Sequence, residues 1–441
     1  MTLYNLFLQH PVICTDSRVC PSGALFFALK GDNFNGNAFA LTALQNGCAY
    51  AVVDEAEYAV DERFILVDDV LKTLQELAAY HRRQLGTKLV GITGTNGKTT
   101  TKELIATVLS RKYNVLYTEG NLNNHIGVPL TLLKLTAAHE IGVIEMGANH
   151  PGEIKALTEI AAPDYGIITN VGKAHLEGFG SFEGVMRTKA ELYDFIARNG
   201  GKAFINADND FLATMAQQSG LDDSKLIKYG KKSFEIEKVS DEIEKKWFVE
   251  GKMAGNLPVL SMKCKTDGQP FEVQTHLIGG YNAENVLAAV AIGHFFDVPD
   301  EEIAAGLANY FPKNNRSQML VSEKNTLIVD AYNANPSSMD EAVRNFAQLE
   351  AERKCLILGD MLELGNESKS EHQQIITLLQ SLELTDVLLV GENFKSTKND
   401  FRSFDNVAQL IDYLKDNPVE NTWVLIKGSR GIKLEKVMDF L

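Results

Sequence analysis

A short glycine-containing turn between an apolar run and a helical pattern constrains this sequence more than any other feature. Residues 91–100 read GITGTNGKTT, with an isoleucine where the usual phosphate-binding loop has its first glycine. The run 89–93 predicts a buried strand, and residues 99–110 carry apolar side chains at helical spacing. Backbone N–H groups in such a turn can hold phosphates, while Lys98 can reach the β- and γ-phosphate oxygens and the Thr99 hydroxyl can bind Mg²⁺. The sequence therefore predicts a nucleotide site on a shortened loop, with an ordinary strand–turn–helix joint as the alternative.

The alternation of predicted strands and helices indicates an α/β protein of three domains, because 441 residues exceed one core at roughly 150 residues per domain. Residues 1–84 are predicted to form a small α/β domain. Residues 85–312 alternate strands with helices, which is typical of a mostly parallel sheet, and include a β-rich stretch over 247–278. The alternation restarts in residues 313–441, where we expect a Rossmann-like domain. The predicted strands lie at 13, 25–29, 49–53, 64–67, 89–93, 142–146, 165–169, 203–206, 327–331, 355–358, 387–390 and 423–426, and further helices at 70–85, 282–296 and from 299 onward.

Composition excludes some classes of protein. The formal net charge is −15, and a surface for nucleic acid would need clustered Lys and Arg. The apolar segments are short, and residues 1–10 lack the basic region and apolar run of a secretory signal, so we expect no membrane insertion and a cytoplasmic protein. We expect a monomer, although the sequence leaves the oligomeric state open. The cysteines have no CxxC spacing and are expected to be ordinary thiols rather than a disulfide framework or a zinc site. They are Cys14, Cys20, Cys48, Cys264 and Cys355.

Three further residues are candidates for the chemistry of the central domain. Glu145 ends an apolar strand at its carboxyl end, where α/β sheets place ligands, so it suits Mg²⁺ or is a solvated strand-end acid. His175 follows the strand predicted at 165–169, where a lone histidine is usually structural. Lys189, on spacing alone, is a charge on a helix surface.

Five stretches occur in the order that is typical of one enzyme family. They read TGTNGKT (93–99), NLNNHIGVP (121–129), EMG (145–147), TNVGKAH (169–175) and YNAEN (281–285). In these stretches the chain resembles the Mur ligase superfamily, which implies carboxylate activation with ATP and Mg²⁺. The ATP-binding residues that the resemblance implies here are Gly94, Thr95, Asn96, Gly97, Lys98, Thr99, Thr100, Asn282 and Asn285.

The same resemblance assigns catalytic roles to Lys98, Glu145, His175 and Lys189. It implies that Mg²⁺ is held by Thr99, Glu145 and His175 together with Lys189, whose side chain is typically carbamylated in this family. Carbamylation would turn a cation into a carboxylate. One departure is Tyr281, where many relatives have histidine, so an imidazole role is lost there.

The amino-terminal stretches DSR (16–18) and ALKGDNFNGNAF (28–39) resemble the domain that holds the UDP group in the later Mur ligases. By composition alone these stretches are polar turns. The UDP-substrate contacts that the resemblance implies are Ser17, Arg18, Lys30, Asn123 and Asn124.

The carboxy-terminal stretches DAYNANPSSM (330–339), LGDMLELG (358–365) and KGSR (427–430) resemble the member of the family that adds a D-alanyl-D-alanine dipeptide. Each follows a predicted strand, so all three should gather at one sheet edge. Arg316 and Asp330 are then expected at the nucleotide. Asn333, Asn335 and Ser338 are expected near the nucleotide or the dipeptide.

The resemblance thus implies an ATP-dependent amide ligase that joins D-alanyl-D-alanine to UDP-N-acetylmuramoyl-tripeptide through an acyl phosphate, in cytoplasmic peptidoglycan precursor synthesis. Another amino-acid-adding Mur ligase and a folylpolyglutamate synthase are alternatives, although the second should lack the DSR domain. A regulatory GTPase is a third, since TKND at 397–400 resembles a guanine-reading motif, but this tetrapeptide lies in the wrong predicted domain. The third residue of the accepted peptide, lysine or diaminopimelate, stays open.

Overall fold

The computed structural model describes residues 2–231, 248–255, 258–313 and 315–441. In its first part, a parallel sheet in the order β1-β2-β5-β6 is accompanied by the small antiparallel hairpin β3-β4. The elements are α1 (Leu3–Gln9), β1 (Ile13–Cys14), β2 (Leu25–Phe27), β3 (Lys30–Gly31), β4 (Phe34–Asn35), α2 (Ala40–Gln45), β5 (Tyr50–Val53), β6 (Phe64–Leu66) and α3 (Val70–Leu85).

The helix α3 has clear local signals at both ends. The Asp69 side chain accepts a hydrogen bond from the Lys72 backbone N–H, and Gly86 ends the helix with φ of 66°. Leu74 and Leu77 on its apolar face are buried in a core that continues into the central part of the chain. The first sheet is therefore fixed to the central part of the chain through α3.

The central part contains a nine-stranded sheet, as far as the described residues show it, in the order β15-β14-β13-β12-β11-β10-β7-β9-β8. Strands β7 to β13 pair in parallel, and β14 and β15 extend the sheet in antiparallel fashion. The elements are β7 (Lys88–Thr93), α4 (Lys98–Leu109), β8 (Val115–Tyr117), α5 (Gly127–Leu132), β9 (Ile141–Glu145), α6 (Glu153–Ala161), β10 (Tyr165–Ile168), α7 (Leu176–Phe179), α8 (Phe182–Arg198), β11 (Lys202–Asn206), α9 (Asp210–Gln218), β12 (Leu226–Gly230), β13 (Phe248–Gly255), β14 (Ser261–Lys265), β15 (Phe271–Gln274), α10 (Ala283–Phe295) and α11 (Asp300–Ala308).

Helices cover both faces of this sheet. On one face α4, α10 and α11 bury Leu104 and Val290, and on the other α6 and α8 bury Leu157 and Leu192. Most of α10 is buried in the core, namely Ala283 and residues 285–293, and its amino terminus packs against Gly97 of the glycine loop.

The last part forms a second doubly wound sheet in the order β16-β17-β21-β18-β19-β20, in which β16 alone, among the strands described, is antiparallel to its neighbour. Strands β17, β18 and β21 end at the same edge. The elements are β16 (Gln318–Val321), β17 (Thr326–Asp330), α12 (Pro336–Ala347), β18 (Lys354–Gly359), α13 (Ser368–Ser381), β19 (Val387–Val390), α14 (Glu392–Lys395), β20 (Arg402–Phe404), α15 (Val407–Asp416) and β21 (Trp423–Lys427). Short 3-10 helices lie at Gly36–Phe39, Ala56–Tyr58, Asp223–Lys225, Gly280–Asn282, Gly365–Glu367, Arg430–Ile432 and Leu434–Phe440.

The predicted α/β class with mostly parallel sheets is confirmed, and every predicted strand has a counterpart within a few residues. The short elements α1, β8, β16 and β20 were not predicted, because three to seven residues leave too little periodicity to recognise. Residues 247, 256 and 257 of the predicted β-rich stretch lie outside the described residues. The domain boundaries at 84/85 and 312/313 stay predictions. No helix in the described part of the chain is long and apolar enough to cross a membrane.

Candidate active site

The glycine loop joins β7 to α4 and needs glycine at two positions. Gly94 has φ of 145° and Gly97 has φ of 76°, both in the region that favours glycine. A Cβ at Gly94 would lie 2.0 Å from Oγ1 of Thr169, and one at Gly97 would lie 2.5 Å from Oδ1 of Asn285. The loop is therefore packed tightly between the end of β10 and the start of α10.

A cavity of about 560 Å³ opens beside this loop and is bounded by both the central and the last part of the chain. Most of the residues predicted for the site line it. They are Thr95, Asn96, Gly97, Lys98, Thr99, Thr100, Asn123, Asn124, Glu145, His175, Asn282, Asn285, Arg316, Asp330, Asn333, Asn335 and Ser338. Gly94, Lys189, Ser17, Arg18 and Lys30 are not among the lining residues.

Lys98 is held back on the loop that precedes it. Its Nζ donates to the carbonyl oxygens of Gly94 at 2.8 Å and Thr95 at 2.9 Å. The pKa of Lys98 is lowered to about 8, chiefly by burial, while the charge of Glu145 raises it and that of Arg316 lowers it. A phosphate group arriving at the loop would compete with the two carbonyls for this ammonium and would favour its charged form.

Glu145 is 1% exposed and ends β9 at the cavity. One carboxylate oxygen, Oε1, accepts hydrogen bonds from the Thr99 hydroxyl at 3.2 Å and from Nδ2 of Asn123 at 2.8 Å. The other, Oε2, has no hydrogen-bond partner among the described residues, and Nζ of Lys102 lies 3.8 Å away. A buried carboxylate oxygen without a hydrogen bond beside a threonine hydroxyl is the donor set that suits Mg²⁺, so the residues present fit this ion.

His175 is the N-cap residue of α7, with φ of 50°, and its Nδ1 contacts the carboxylate of Glu363 from the last part of the chain. This contact lowers the pKa of Glu363. A second pair, from Lys173 to Glu371 at 2.8 Å, crosses the same junction. The histidine segment therefore joins the two parts at the edge of the cavity.

Lys189 lies in α8 and is 2% exposed, so it is not the surface charge that its spacing suggested. Its Nζ is 3.5 Å from the carbonyl oxygen of Ala148, which lines the cavity, and 5.2 Å from the centre of the Phe179 ring. Burial and, to a smaller extent, the charge of Lys98 lower the pKa of Lys189 to about 7. A buried amine of this kind can be neutral at physiological pH, as carbamylation requires.

The start of α10 holds the far side of the loop in place. Oδ1 of Asn285 accepts from the Thr101 hydroxyl at 2.9 Å, and Nδ2 of Asn285 donates to Oδ1 of Asn282 at 2.8 Å. The Tyr281 hydroxyl is 3.0 Å from Oγ of Ser317. Tyr281 therefore links the 3-10 helix that precedes α10 to the last part of the chain.

The last part contributes a polar edge at the ends of β17 and β21. Arg316 stacks on the ring of Tyr332, with its guanidinium carbon 3.8 Å from the ring centre. Asp330 is paired with Lys427 and accepts from the backbone N–H of Ser317 at 3.3 Å. Charges of both signs thus face the cavity opposite the glycine loop.

Asn335 connects the last part of the chain directly to the glycine loop, because its Nδ2 donates to Oδ1 of Asn96 at 2.7 Å. It is also the N-cap of α12, where it exchanges hydrogen bonds with Ser338 in a capping box. The neighbouring Asn333 accepts from the backbone N–H of Ala334. Asn335 and Ser338 therefore have structural partners in addition to their places at the cavity.

The residues predicted for the UDP group divide into two sets. Asn123 and Asn124 lie at the cavity. Arg18 is paired with Asp16, and the Lys30 ammonium contacts Asp54 at 2.8 Å and Glu55 at 2.9 Å. These pairings raise the pKa of Lys30 and already offset both cations, and the UDP assignment of Ser17, Arg18 and Lys30 stays a prediction.

Sequence reasoning did not single out two residues that shape the loop. Asn170 accepts from the backbone N–H of Asn96 at 2.9 Å and belongs to the TNVGKAH stretch, which was a usable signal. Lys102 is fully buried next to Glu145, and burial lowers its pKa. Its position in α4 gives no sign of this environment.

Comparison with known proteins agrees with this arrangement. Three family models match, described as Mur ligase family, catalytic domain (residues 11–82), Mur ligase middle domain (92–293) and Mur ligase, glutamate ligase domain (315–430). The chain is 33% identical to a UDP-N-acetylmuramoyl-tripeptide–D-alanyl-D-alanine ligase of Bacillus subtilis, over 100% of this chain and 95% of that protein. It is 35% identical to the ligase of the same name from Escherichia coli, over 97% and 93%. A crystal structure of MurF ligase from Thermotoga maritima in complex with ADP is similar with a TM-score of 0.82 and 26% identity, over 97% of this chain and 96% of that one.

Proposed function

This chain belongs to the Mur ligase family, and we propose that it joins D-alanyl-D-alanine to UDP-N-acetylmuramoyl-tripeptide with conversion of ATP to ADP and phosphate. The observation that carries the proposal is a single cavity in which the glycine loop of the central part faces the polar edge of β17 and β21. The choice of substrates is supported by the 33% and 35% identity, over nearly the whole chain, to ligases whose names contain these two substrates.

ATP is proposed to bind with its phosphates on residues 94–100. Backbone N–H groups at the start of α4 point into this turn, and the loop fits no larger residue at Gly97. Lys98 then moves from the loop carbonyls to the γ-phosphate, where it offsets the charge that develops during transfer. Asn282, Asn285, Arg316 and Asp330 are proposed to contact the rest of the nucleotide.

Mg²⁺ is proposed to be held by Thr99 and Glu145, with His175 and a carbamylated Lys189 nearby. The carboxylate oxygen of Glu145 without a hydrogen bond supports this assignment. When bound, the ion would neutralise negative charge on the phosphate oxygens of ATP.

In the first step, a carboxylate oxygen of the tripeptide attacks the γ-phosphorus of ATP, ADP leaves, and an acyl phosphate forms. Lys98 provides the positive charge on the side of the loop. In the second step, the amine of D-alanyl-D-alanine attacks the acyl carbon, and phosphate leaves with the oxygen that came from the carboxylate. Asn333, Asn335 and Ser338 are proposed to position the dipeptide, because they face the loop across the cavity.

Two related activities were alternatives. A folylpolyglutamate synthase should lack the amino-terminal domain, whereas the Mur ligase catalytic-domain model matches residues 11–82. Another amino-acid-adding Mur ligase differs in its carboxy-terminal stretches, and the dipeptide ligases named above match this chain over at least 97% of its length. TKND at 397–400 lies beyond α14 and away from the cavity, so it gives no support to a GTPase. We also propose that the chain acts as a monomer in the cytoplasm.

The test is phosphate release by the purified chain with ATP and Mg²⁺. Release that depends on both UDP-N-acetylmuramoyl-tripeptide and D-alanyl-D-alanine, with a product whose mass equals the two substrates less one water, is expected. The control replaces the dipeptide by D-glutamate or by meso-diaminopimelate. Equal turnover with a single amino acid and the matching shorter precursor would instead identify another ligase of the family.

A further inference from the structure

Three cysteine sulfurs converge in the first part of the chain, although their spacing in the sequence gave no sign of a site. Cys14 ends β1, Cys20 follows the turn after it, and Cys48 precedes β5. The three sulfur atoms lie within 4.8 Å of one another. All are free thiols. The sequence expectation of scattered, ordinary thiols therefore does not describe how these three are arranged.

From this geometry we propose that Cys14, Cys20 and Cys48 form a binding site for one thiophilic metal ion, with Zn²⁺ as its occupant. The three cysteines lie in the first part of the chain, and none of them lines the ATP cavity. The proposal does not depend on the ligase activity.

The sulfur distances match those of a zinc–thiolate centre. With a Zn–S bond of about 2.3 Å, two sulfur ligands of a tetrahedral ion lie about 3.8 Å apart. Sγ of Cys14 and Sγ of Cys20 are 3.7 Å apart. A triangle with all sides at the 4.8 Å limit has its corners only about 2.8 Å from its centre, so small rotations of the side chains would bring all three sulfurs to bonding distance.

A fourth ligand is available from the turn between the first two cysteines. The carbonyl oxygen of Asp16 is 3.2 Å from Sγ of Cys14 and 3.7 Å from Sγ of Cys20. Sulfur and oxygen ligands of one tetrahedral zinc ion lie about 3.6 Å apart. The Asp16 carbonyl, or a water in its place, can therefore complete the tetrahedron.

The residues around the three cysteines fix their segments relative to one another and leave a path by which a metal ion can enter. Nδ2 of Asn46 donates to the carbonyl oxygen of Ser17 at 2.8 Å, which ties the segment of Cys48 to the turn. Cys14 and Cys48 are each 5% exposed, while Cys20 is only partly buried and opens the cluster to solvent. Burial raises the pKa of Cys14 and of Cys48, so metal binding would release protons from them.

Soft thiolate ligands in a tetrahedral arrangement select zinc over Mg²⁺, which prefers oxygen ligands. Cobalt is a spectroscopic substitute, because a cysteine-bound cobalt ion shows a sulfur-to-metal charge-transfer absorption. Cobalt at the oxygen ligands of the ATP cavity gives no such absorption, and excess Mg²⁺ would displace it there.

The experiment is a Co²⁺ titration of the full-length, reduced, metal-free chain with excess Mg²⁺ present. We expect about one Co²⁺ per chain with the sulfur charge-transfer band, and loss of the band when Zn²⁺ is added. Cys20→Ser, at the partly exposed position, should weaken binding by at least about 100-fold, since even the loss of an outer-shell partner can cost that much. Cys264→Ala, in β14 of the central part, is the matched control and should bind as the wild-type chain does.

A wild-type chain without the charge-transfer band, or equal affinity in Cys20→Ser, overturns the proposal. The proposal is also overturned if the isolated chain contains a Cys14–Cys20 disulfide, seen as a mass loss of two hydrogens, and the same chain binds no metal after reduction. If Cys20→Ser fails to fold by circular dichroism, cadmium NMR of the wild-type chain decides, because its chemical shift reports the number of sulfur ligands. A shift typical of three sulfurs supports the site, and one typical of oxygen ligands refutes it.

Discussion

Replacing Lys189 tests the proposal that this lysine is carbamylated. The modification would turn a cationic side chain into an anionic ligand for Mg²⁺. A carbamate forms only from the neutral amine. With the pKa of about 7 that burial gives Lys189, about 90% of the amine is neutral at pH 8, against about 0.3% for an ordinary lysine with a pKa of 10.5. The environment therefore raises the reactive fraction about 300-fold.

The size of the expected effect follows from the role of a charge placed beside the phosphates. Removing one such stabilising group costs about 10²–10³-fold in kcat. Lys189→Ala and Lys189→Met should both lose activity on that scale. The alanine variant leaves a space in the core that acetate or propionate can fill, whereas methionine occupies the same space without a charge. Partial rescue by short carboxylates is therefore expected for Lys189→Ala and not for Lys189→Met.

The assay is phosphate release in buffers freed of CO₂ and then supplied with bicarbonate, together with carbon NMR of the chain in labelled bicarbonate. Lys155→Ala, an exposed lysine of the neighbouring helix α6, is the control and should keep full activity. Because the pKa is lowered, the neutral amine is lost as pH falls through 7, so wild-type activity should rise with bicarbonate between about pH 6 and 8. Full activity of Lys189→Met, or no carbamate signal in an active chain, would refute the reasoning.

Three further predictions concern the loop and its partners. Lys98→Ala should lower kcat by at least about 10²-fold while the affinity for UDP-substrate, measured by calorimetry, stays unchanged. Glu145→Gln keeps the hydrogen bonds at Oε1 but removes the negative charge beside buried Lys102. The Mg²⁺ concentration for half-maximal activity should therefore rise, and Tm should fall because Lys102 loses its counter-charge. An unchanged Mg²⁺ requirement would argue against the metal assignment. Gly97→Ala places a methyl group 2.5 Å from Asn285 at a positive φ, which costs about 1–2 kcal/mol in loop conformation. The KM for ATP should therefore rise. A KM equal to that of the wild-type chain would contradict the packing described.

Much of the fold follows from the sequence because its long elements carry strong local signals. The helix α3 has Asp69 and Gly86 at its ends, and the strand β7 leads directly into the glycine turn. Short edge strands such as β8 and β20 carry no such signals, and their pairing depends on neighbours that are distant in sequence.

The site was predictable where its residues lie in contiguous motifs. Lys98 and Thr99 come shortly after β7 and Glu145 ends β9, and parallel pairing brings these strand ends to one edge, so their proximity was expected. The contact of Asn335 with Asn96, and the convergence of Cys48 with Cys14 and Cys20, depend on how separate segments pack. The spacing of residues in the sequence does not predict such contacts.

The most direct test of the central claim, carboxylate activation at the glycine loop, follows an oxygen atom. UDP-N-acetylmuramoyl-tripeptide with both oxygens of its terminal carboxylate replaced by the heavy isotope is incubated with ATP, D-alanyl-D-alanine and the wild-type chain, and the released phosphate is analysed by mass spectrometry. An acyl-phosphate route transfers one heavy oxygen to each phosphate and leaves the other in the new amide. Phosphate without the heavy isotope, formed along with the amide product, would contradict the account.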